Sequence, residues 1–421
     1  MNPLYCDTDG NVYDLPGYEP AFRSGTRVVP VPGDELIPLP YGSLLFSLPG
    51  RYPVFYDGTG DKYETVAHVD GGEVWAASAF LSSGYLRTYL PAYEKQQDAP
   101  PLSLWAYTGV VFYDDQFMVP ALRIDEDPRS DPEIHENEEE LETAIGQMRH
   151  VYHENRLVKQ LQRCATEYRC LCARNFFLGR YEAPVPTTPA CNARCAGCLS
   201  FQEEGDVHVS QYRLEIAPSP AEIAEVMIHH ADQVDESVLS FGQGCEGEPL
   251  LRWKDLATAI RMVRKGTSRG TIHLNTNGSL PSGLEHMIDA GLESVRISLN
   301  SPTRKYYNAY YRPRGYSFDD VLRSMELSLD AGIFVSLNLF FLPGFTDMES
   351  EVEALFGLLD NYPVHMIQTR NFNIDPDYYF DTIGFQEDEP LGIRNMLDMT
   401  RERYPDIKLG YYNPPREKFH V

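Results

Sequence analysis

Residues 187–201 read TTPACNARCAGCLSF, and the placing of Cys191, Cys195 and Cys198 within them decides what the rest of the chain must be. The spacing is Cys-x3-Cys-x2-Cys in a stretch punctuated by Pro, Asn and Gly, so it reads as a loop. Free cysteines pack well in cores, but three of them in one such loop have another use. Structural zinc sites draw four ligands, usually from paired Cys-x2-Cys or His-x3-His knuckles, and this trio has no fourth ligand nearby. An iron–sulfur cubane is held by thiolates, and one with only three protein ligands leaves an iron free to bind another molecule. The spacing points to a metal centre with an open position.

Around this loop the chain alternates strand and helix signals. Strands are expected near 184–190, 237–242, 271–275, 294–300, 334–342 and 365–371, with helices between them. Ser219-Pro220-Ala221-Glu222 is a capping box with Pro at the first helical position, Ser317 opens FDDVLRSMELSLDAG, and Gly332 and Gly291 close their helices. Six such units fall short of the eight of a closed barrel. Upstream, residues 1–130 carry short β-prone runs such as YPVFYD and QFMVPALRI between turn signals and read as a mostly β domain. Residues 131–182 form an acidic linker and a connecting helix, expected from about Glu138 to about Phe177 with one break. Residues 183–375 hold the β/α core, and 376–421 a C-terminal helix and tail.

The 421 residues are 43 % hydrophobic, enough for packed cores, and carry a net charge of −26. That charge repels nucleic-acid phosphates and anionic lipid, so nucleic-acid and membrane partners are not expected. No apolar run is long enough to span a bilayer, and the polar, acidic start MNPLYCDTDG is unlike a signal peptide, so a cytoplasmic location is expected. Eight unevenly spread cysteines suit reduced thiols and metal binding better than a disulfide framework.

In parallel β/α folds ligands gather at the carboxyl ends of the strands, and here polar residues recur at those ends. The second strand runs into FGQGCEGEPLL, with backbone freedom at Gly247 and a carboxylate at Glu248. The third ends in Asn275-Thr276-Asn277-Gly278, which is also a turn signal. The fourth places Ser298 and Asn300 on one face, the fifth carries Asn338 and ends at LPGFTD, and the sixth ends in a polar run containing Arg370.

The cysteine spacing and, second to it, Glu246-Gly247-Glu248-Pro249 resemble the radical S-adenosylmethionine (SAM) superfamily, over residues 183–375. The resemblance implies a partial (β/α)6 TIM-like barrel preceded by the mostly β domain. It implies a 4Fe-4S cluster on Cys191, Cys195 and Cys198 whose open iron chelates SAM, and a one-electron donor such as flavodoxin or ferredoxin. Reductive cleavage of SAM would give a 5′-deoxyadenosyl radical that acts on an unidentified substrate: a peptide, a protein or a small molecule. On this pattern Gly247, Glu248, Asn277, Ser298, Asn300, Asn338 and Arg370 are the cofactor-binding candidates, Glu248 for the methionine ammonium and Arg370 for a carboxylate. The chain departs from the pattern in two places. Gly197 stands before the last cysteine where the superfamily often has an aromatic residue, and Glu246 replaces the first Gly of Gly-Gly-Glu. The alternative to an enzyme is a non-catalytic iron–sulfur or zinc protein for electron transfer or scaffolding.

Four further cysteines invite comparison. Cys164, Cys170 and Cys172 can be read as ligands of a second iron–sulfur cluster just upstream of the first, but on one continuous helix Cys164 and Cys172 lie about 80° apart and Cys170 is turned about 240° from Cys164, so the three diverge. A helix break before Cys170 would change that, and buried thiols are otherwise expected. Cys245 lies next to the Glu-Gly-Glu-Pro run as a candidate redox-sensitive or substrate-facing thiol. His150 and His153, without a third ligand, read as a solvated helix face.

Overall fold

Alternating runs separated by tight turns pair the first part of the chain into antiparallel strands. The protein is described by a computed structural model covering residues 1–200 and 207–420. Its largest N-terminal sheet includes Asn2–Asp7, Gly72–Phe80, Val111–Tyr113 and Gln116–Arg123. The last two close a hairpin in which Tyr113 faces Gln116 across Asp114 and Asp115. Both turn residues are left-handed, at φ 52° and 58°, as a two-residue turn of matching twist requires and as Asp tolerates.

Three helices follow: Glu138–Val151, Arg156–Thr166 and Leu171–Phe177. The single break expected here is two. Asn155 starts the second helix by accepting from the backbone N–H groups of Leu157 and Val158. A second reversal, with Arg169 at φ 49°, starts the third at Cys170.

The core is a partial β/α barrel. Its parallel strands stand in chain order: Glu182–Val185, Val238–Phe241, Thr271–Thr276, Ser294–Leu299, Phe334–Phe341, Met366–Asn371 and Lys408–Gly410. The six expected strands are present, and the tail adds a seventh against the sixth. The first strand ends earlier than expected, because Pro186 and Pro189 cannot donate to a ladder and the intervening threonines bond elsewhere. Ser219 and Glu222 form the expected capping box, and Gly291 ends its helix in the left-handed region.

One face of the sheet carries Val295, Ile297, Leu299, Leu337, Leu339 and Ile367, which are fully buried in the core shared with the helices. The opposite face carries Arg296, Ser298, Asn338, Gln368 and Arg370, so the lumen is polar. Among the described residues, no helix is long and apolar enough to cross a membrane.

The N-terminal sheets dock on the carboxyl ends of the fifth and sixth barrel strands. Asn371 accepts from the Arg87 backbone N–H at 3.0 Å and donates to the Tyr85 carbonyl at 2.8 Å, while the Arg87 guanidinium donates to the Phe372 carbonyl at 2.8 Å. Gly25 N–H donates to the Pro343 carbonyl at 2.9 Å. Next to it Gly344 has φ +81°, and a Cβ there would lie 1.7 Å from the Gly25 nitrogen. Gly344→Ala is therefore expected to cost about 1–3 kcal/mol or more and to unseat this contact. Limited proteolysis checks it, with earlier cleavage of the N-terminal region than in the parent.

Candidate active site

The loop after the first barrel strand is shaped by backbone bonds from other β/α units. Arg194 and Ala196 donate to the carbonyls of Tyr311 and Tyr310 at 2.8 and 2.9 Å, and Arg314 donates to the Asn192 carbonyl at 2.8 Å. The Asn192 side chain joins the end of the third strand, donating to Ser279 Oγ at 2.9 Å and accepting from Asn277 Nδ2 at 3.0 Å. This frame holds Cys191, Cys195 and Cys198, all three half-buried free thiols.

Burial first, then Glu248, pushes the Cys191 thiol up to about 11. Cys195 is raised by burial first and then by Cys198 and Cys191. Thiols that disfavour one another's ionisation share a pocket suited to a cationic centre. Arg213, which sequence reasoning missed because it stands alone in an irregular stretch, places Nη2 3.8 Å from Cys198 Sγ and donates to Ser200 Oγ at 3.1 Å. Among the described residues no three His, Cys, Asp or Glu side chains gather around a single-ion position. Three thiols from one short loop are the donor set of a cluster that leaves one iron open.

The two glutamates of the neighbouring loop have different work. Glu246, the departure from Gly-Gly-Glu, accepts from the backbone of Thr187 and Thr188 at 2.7 and 2.9 Å and of Gly242 and Gln243 at 2.9 and 2.8 Å. It is a staple between the first two strand ends, with burial pushing its carboxyl up to about 7. Glu248 is 4 % exposed, and burial also pushes it up to about 7. It accepts from Thr276 Oγ1 at 2.5 Å, Leu250 N–H at 3.0 Å and Asn277 N–H at 2.8 Å. A carboxylate has about four lone-pair sites, so Glu248 keeps one for a ligand.

Gly247 lets the loops meet. Its N–H donates to the Thr188 carbonyl at 2.6 Å, and a Cβ would lie 1.8 Å from the Ala190 oxygen. Gly247→Ala is expected to push the cysteine loop off Glu248 and lower the triad's metal affinity roughly 10–100-fold. Iron retained against a chelator measures it.

Of the remaining candidates, Asn338 donates to Ser298 Oγ at 3.5 Å, and its buried Oδ1 has no partner. Asn300 lies just past its strand, donating to Tyr306 O at 3.2 Å and Tyr379 Oη at 3.0 Å, with its own Oδ1 unpartnered. Arg370 stacks its guanidinium 3.9 Å from the centre of the Tyr411 ring. Beside it Arg296 is pushed down to about 9, by burial first and then by Arg370, and donates to Gln368 Oε1.

An aromatic wall adjoins this face. Phe340 and Phe372 stack at 5.1 Å, and Tyr310 meets Phe372 edge-on at 5.2 Å. Tyr310 also explains Gly197, where a Cβ would lie 3.1 Å from both Tyr310 Oη and Ile374 Cδ1. Tyr310, from a distant stretch of the chain, fills the space that a larger side chain at 197 would need, which no local pattern announces.

Residues 185–357 match the model of the radical SAM superfamily. The chain is 26 % identical over 231 residues to the GTP 3',8-cyclase of Campylobacter curvus, covering 54 % of this chain and 67 % of that one. It is 28 % identical over 235 residues to a probable GTP 3',8-cyclase of Halobacterium salinarum, covering 52 % of this chain and 60 % of the relative. With the molybdenum cofactor biosynthesis protein moc-5 of Caenorhabditis elegans it shares 26 % identity over 239 residues, 55 % of this chain but 36 % of that protein. Among solved structures, the FeFe-hydrogenase maturase HydG from Carboxydothermus hydrogenoformans is similar at a TM-score of 0.39 and 14 % identity, covering 66 % of this chain and 70 % of that one.

Proposed function

We propose, from the premise that residues 185–357 are a radical SAM domain, that the chain is an enzyme using a 4Fe-4S cluster and SAM to transform a small anionic substrate. The observation that carries this is the three-thiol loop set beside a carboxylate with one free lone pair and an unpartnered buried amide oxygen. Cys191, Cys195 and Cys198 hold the cluster. Together with SAM and an electron from a donor such as flavodoxin or ferredoxin, it supplies a 5′-deoxyadenosyl radical for hydrogen abstraction.

The chain's residues bind and shield. Glu248 takes the methionine ammonium, for which its ionised form is needed, and Asn277 and Gly247 fix its position. Ser298, Asn300 and Asn338 offer the ribose a hydroxyl and two amide oxygens, and the Phe340 and Phe372 rings flank adenine. The N-terminal strands, seated on the ends of the fifth and sixth barrel strands, keep water from that side.

Arg370 receives the anionic part of the substrate, and the relatives' names make GTP the candidate. A charge-assisted bond of this kind is worth about 1.5–3 kcal/mol, so Arg370→Ala is expected to raise KM for GTP roughly tenfold to a hundredfold with kcat little changed. The test is turnover with GTP deuterated in its ribose. Deuterium in the 5′-deoxyadenosine formed supports the proposal; 5′-deoxyadenosine without deuterium removes GTP as substrate.

A further inference from the structure

Arg213 reaches the cysteine loop from a stretch that belongs to no strand or helix, so its place beside Cys198 is set by contacts alone. Ser210 Oγ donates to the Leu199 carbonyl at 3.3 Å, Gln211 pairs with Ser200 in an isolated parallel bridge, and the Leu214 N–H donates to the Cys245 carbonyl at 2.7 Å. Leu214 is 2 % exposed, so burial anchors the same end of the segment. Held in this way, the half-buried Arg213 donates from Nε to Ser200 Oγ at 3.1 Å and points Nη2 at Cys198 Sγ from 3.8 Å. Ser200 is fully buried, and its Oγ lies 3.4 Å from the same sulfur. Two side chains thus converge on one thiol of the triad.

A cation donating to that sulfur has a signed effect. A thiolate that ligates a cluster gains negative charge when the cluster takes up an electron, so the donor stabilises the reduced form more than the oxidised one. Guanidinium suits this place because it stays charged and its fork serves Ser200 and Cys198 together. The other two thiols feel the same charge: burial, the largest effect, raises Cys191 and Cys195, and Arg213 opposes that rise.

We propose that Arg213 and Ser200 are positioning residues that raise the reduction potential of the cluster on Cys191, Cys195 and Cys198, Arg213 by donating to the Cys198 sulfur and Ser200 by holding Arg213 in line. The step concerned is the transfer of one electron from the external donor to the oxidised cluster, with no bond made or broken in the protein. This rests on the reading of the three cysteines as cluster ligands, and not on the choice of substrate.

The experiment is a potentiometric titration of the anaerobically reconstituted chain without SAM, followed by the electron paramagnetic resonance signal of the reduced cluster. Arg213→Leu is expected to lower the ratio of reduced to oxidised cluster at a set potential roughly tenfold, a shift of about 59 mV to the negative for a one-electron couple. Arg213→Lys, which keeps the charge and loses the fork, should fall between parent and Arg213→Leu. Ser200→Ala should shift in the same direction, and it decides the outcome if Arg213→Leu holds no cluster. Variants that titrate with the parent overturn the proposal, as does an Arg213→Leu chain altered only in its affinity for SAM. A parent chain that takes up no iron and sulfide overturns the ligand reading as well, whereas a parent cluster whose potential ignores these variants overturns this inference alone.

Discussion

Replacing Cys195 with Ala is expected to abolish 5′-deoxyadenosine formation while leaving the fold in place. Cys195 is the middle thiol, and its charge interacts with both Cys198 and Cys191. A cluster held by two thiolates has lost a third of its protein bonds to the triad and opens a second iron to solvent. The loop itself does not depend on this side chain, because Arg194 and Ala196 fix it through backbone bonds to Tyr311 and Tyr310. Loss of turnover should therefore come without a large change in the unfolding midpoint of the metal-free protein. The measurement pairs product analysis with circular dichroism melts. Turnover at the parent rate would show that Cys195 is not a ligand, and collapse of the metal-free fold would show that it is structural.

Arg51→Ala should have the largest effect on stability. Arg51 and Asp375 form an ion pair at 2.8 Å with side-chain exposures of 1 % and 0 %, joining the N-terminal sheets to the segment after the sixth barrel strand. Asp375 also accepts from the Leu102 N–H at 2.8 Å and caps the helix Pro376–Ile383. Removing the guanidinium leaves a buried carboxylate with backbone donors alone, at a cost of about 3–5 kcal/mol. The exposed pair of Arg27 with Glu387 and Glu389 spans the same two regions, and Arg27→Ala should cost far less, because solvent screens it. Denaturant unfolding followed by the tryptophans of the N-terminal region, Trp75 and Trp105, compares the two variants. Equal losses would contradict the assignment of docking energy to the buried pair.

Much of the barrel is legible in the sequence because its signals are local. The capping box at Ser219, the stop at Gly291 and the alternation of apolar runs each act within a few residues, and the cysteine spacing lies in one loop. What escaped depends on residues distant in the chain. Glu246 looks like a lost glycine until Thr187 and Thr188 are seen to bond to it, and Gly197 looks like a lost aromatic until Tyr310 is placed beside it. The reversal before Cys170, with Arg169 in the left-handed region, is weakly announced by its residues. The seventh strand, three residues long, falls within the run IKLGYYN, which the sequence already marks as a short strand after the last helix.

The relatives' names concern whole proteins of which the alignments cover between 36 % and 67 %. The residues facing the lumen are therefore the better guide to what this chain accepts. Arg370 and Arg296 concentrate positive charge in the lumen despite the net charge of −26 and suit an anionic group, while the unpartnered amide oxygens of Asn300 and Asn338 suit a hydrogen-bond donor such as a hydroxyl.

The central claim is that the triad supports reductive cleavage of SAM. Anaerobically reconstituted protein mixed with SAM and dithionite should form 5′-deoxyadenosine and methionine in equal amounts, measured by liquid chromatography and mass spectrometry. An intact cluster, shown by its absorbance and iron content, with no 5′-deoxyadenosine formed would contradict it.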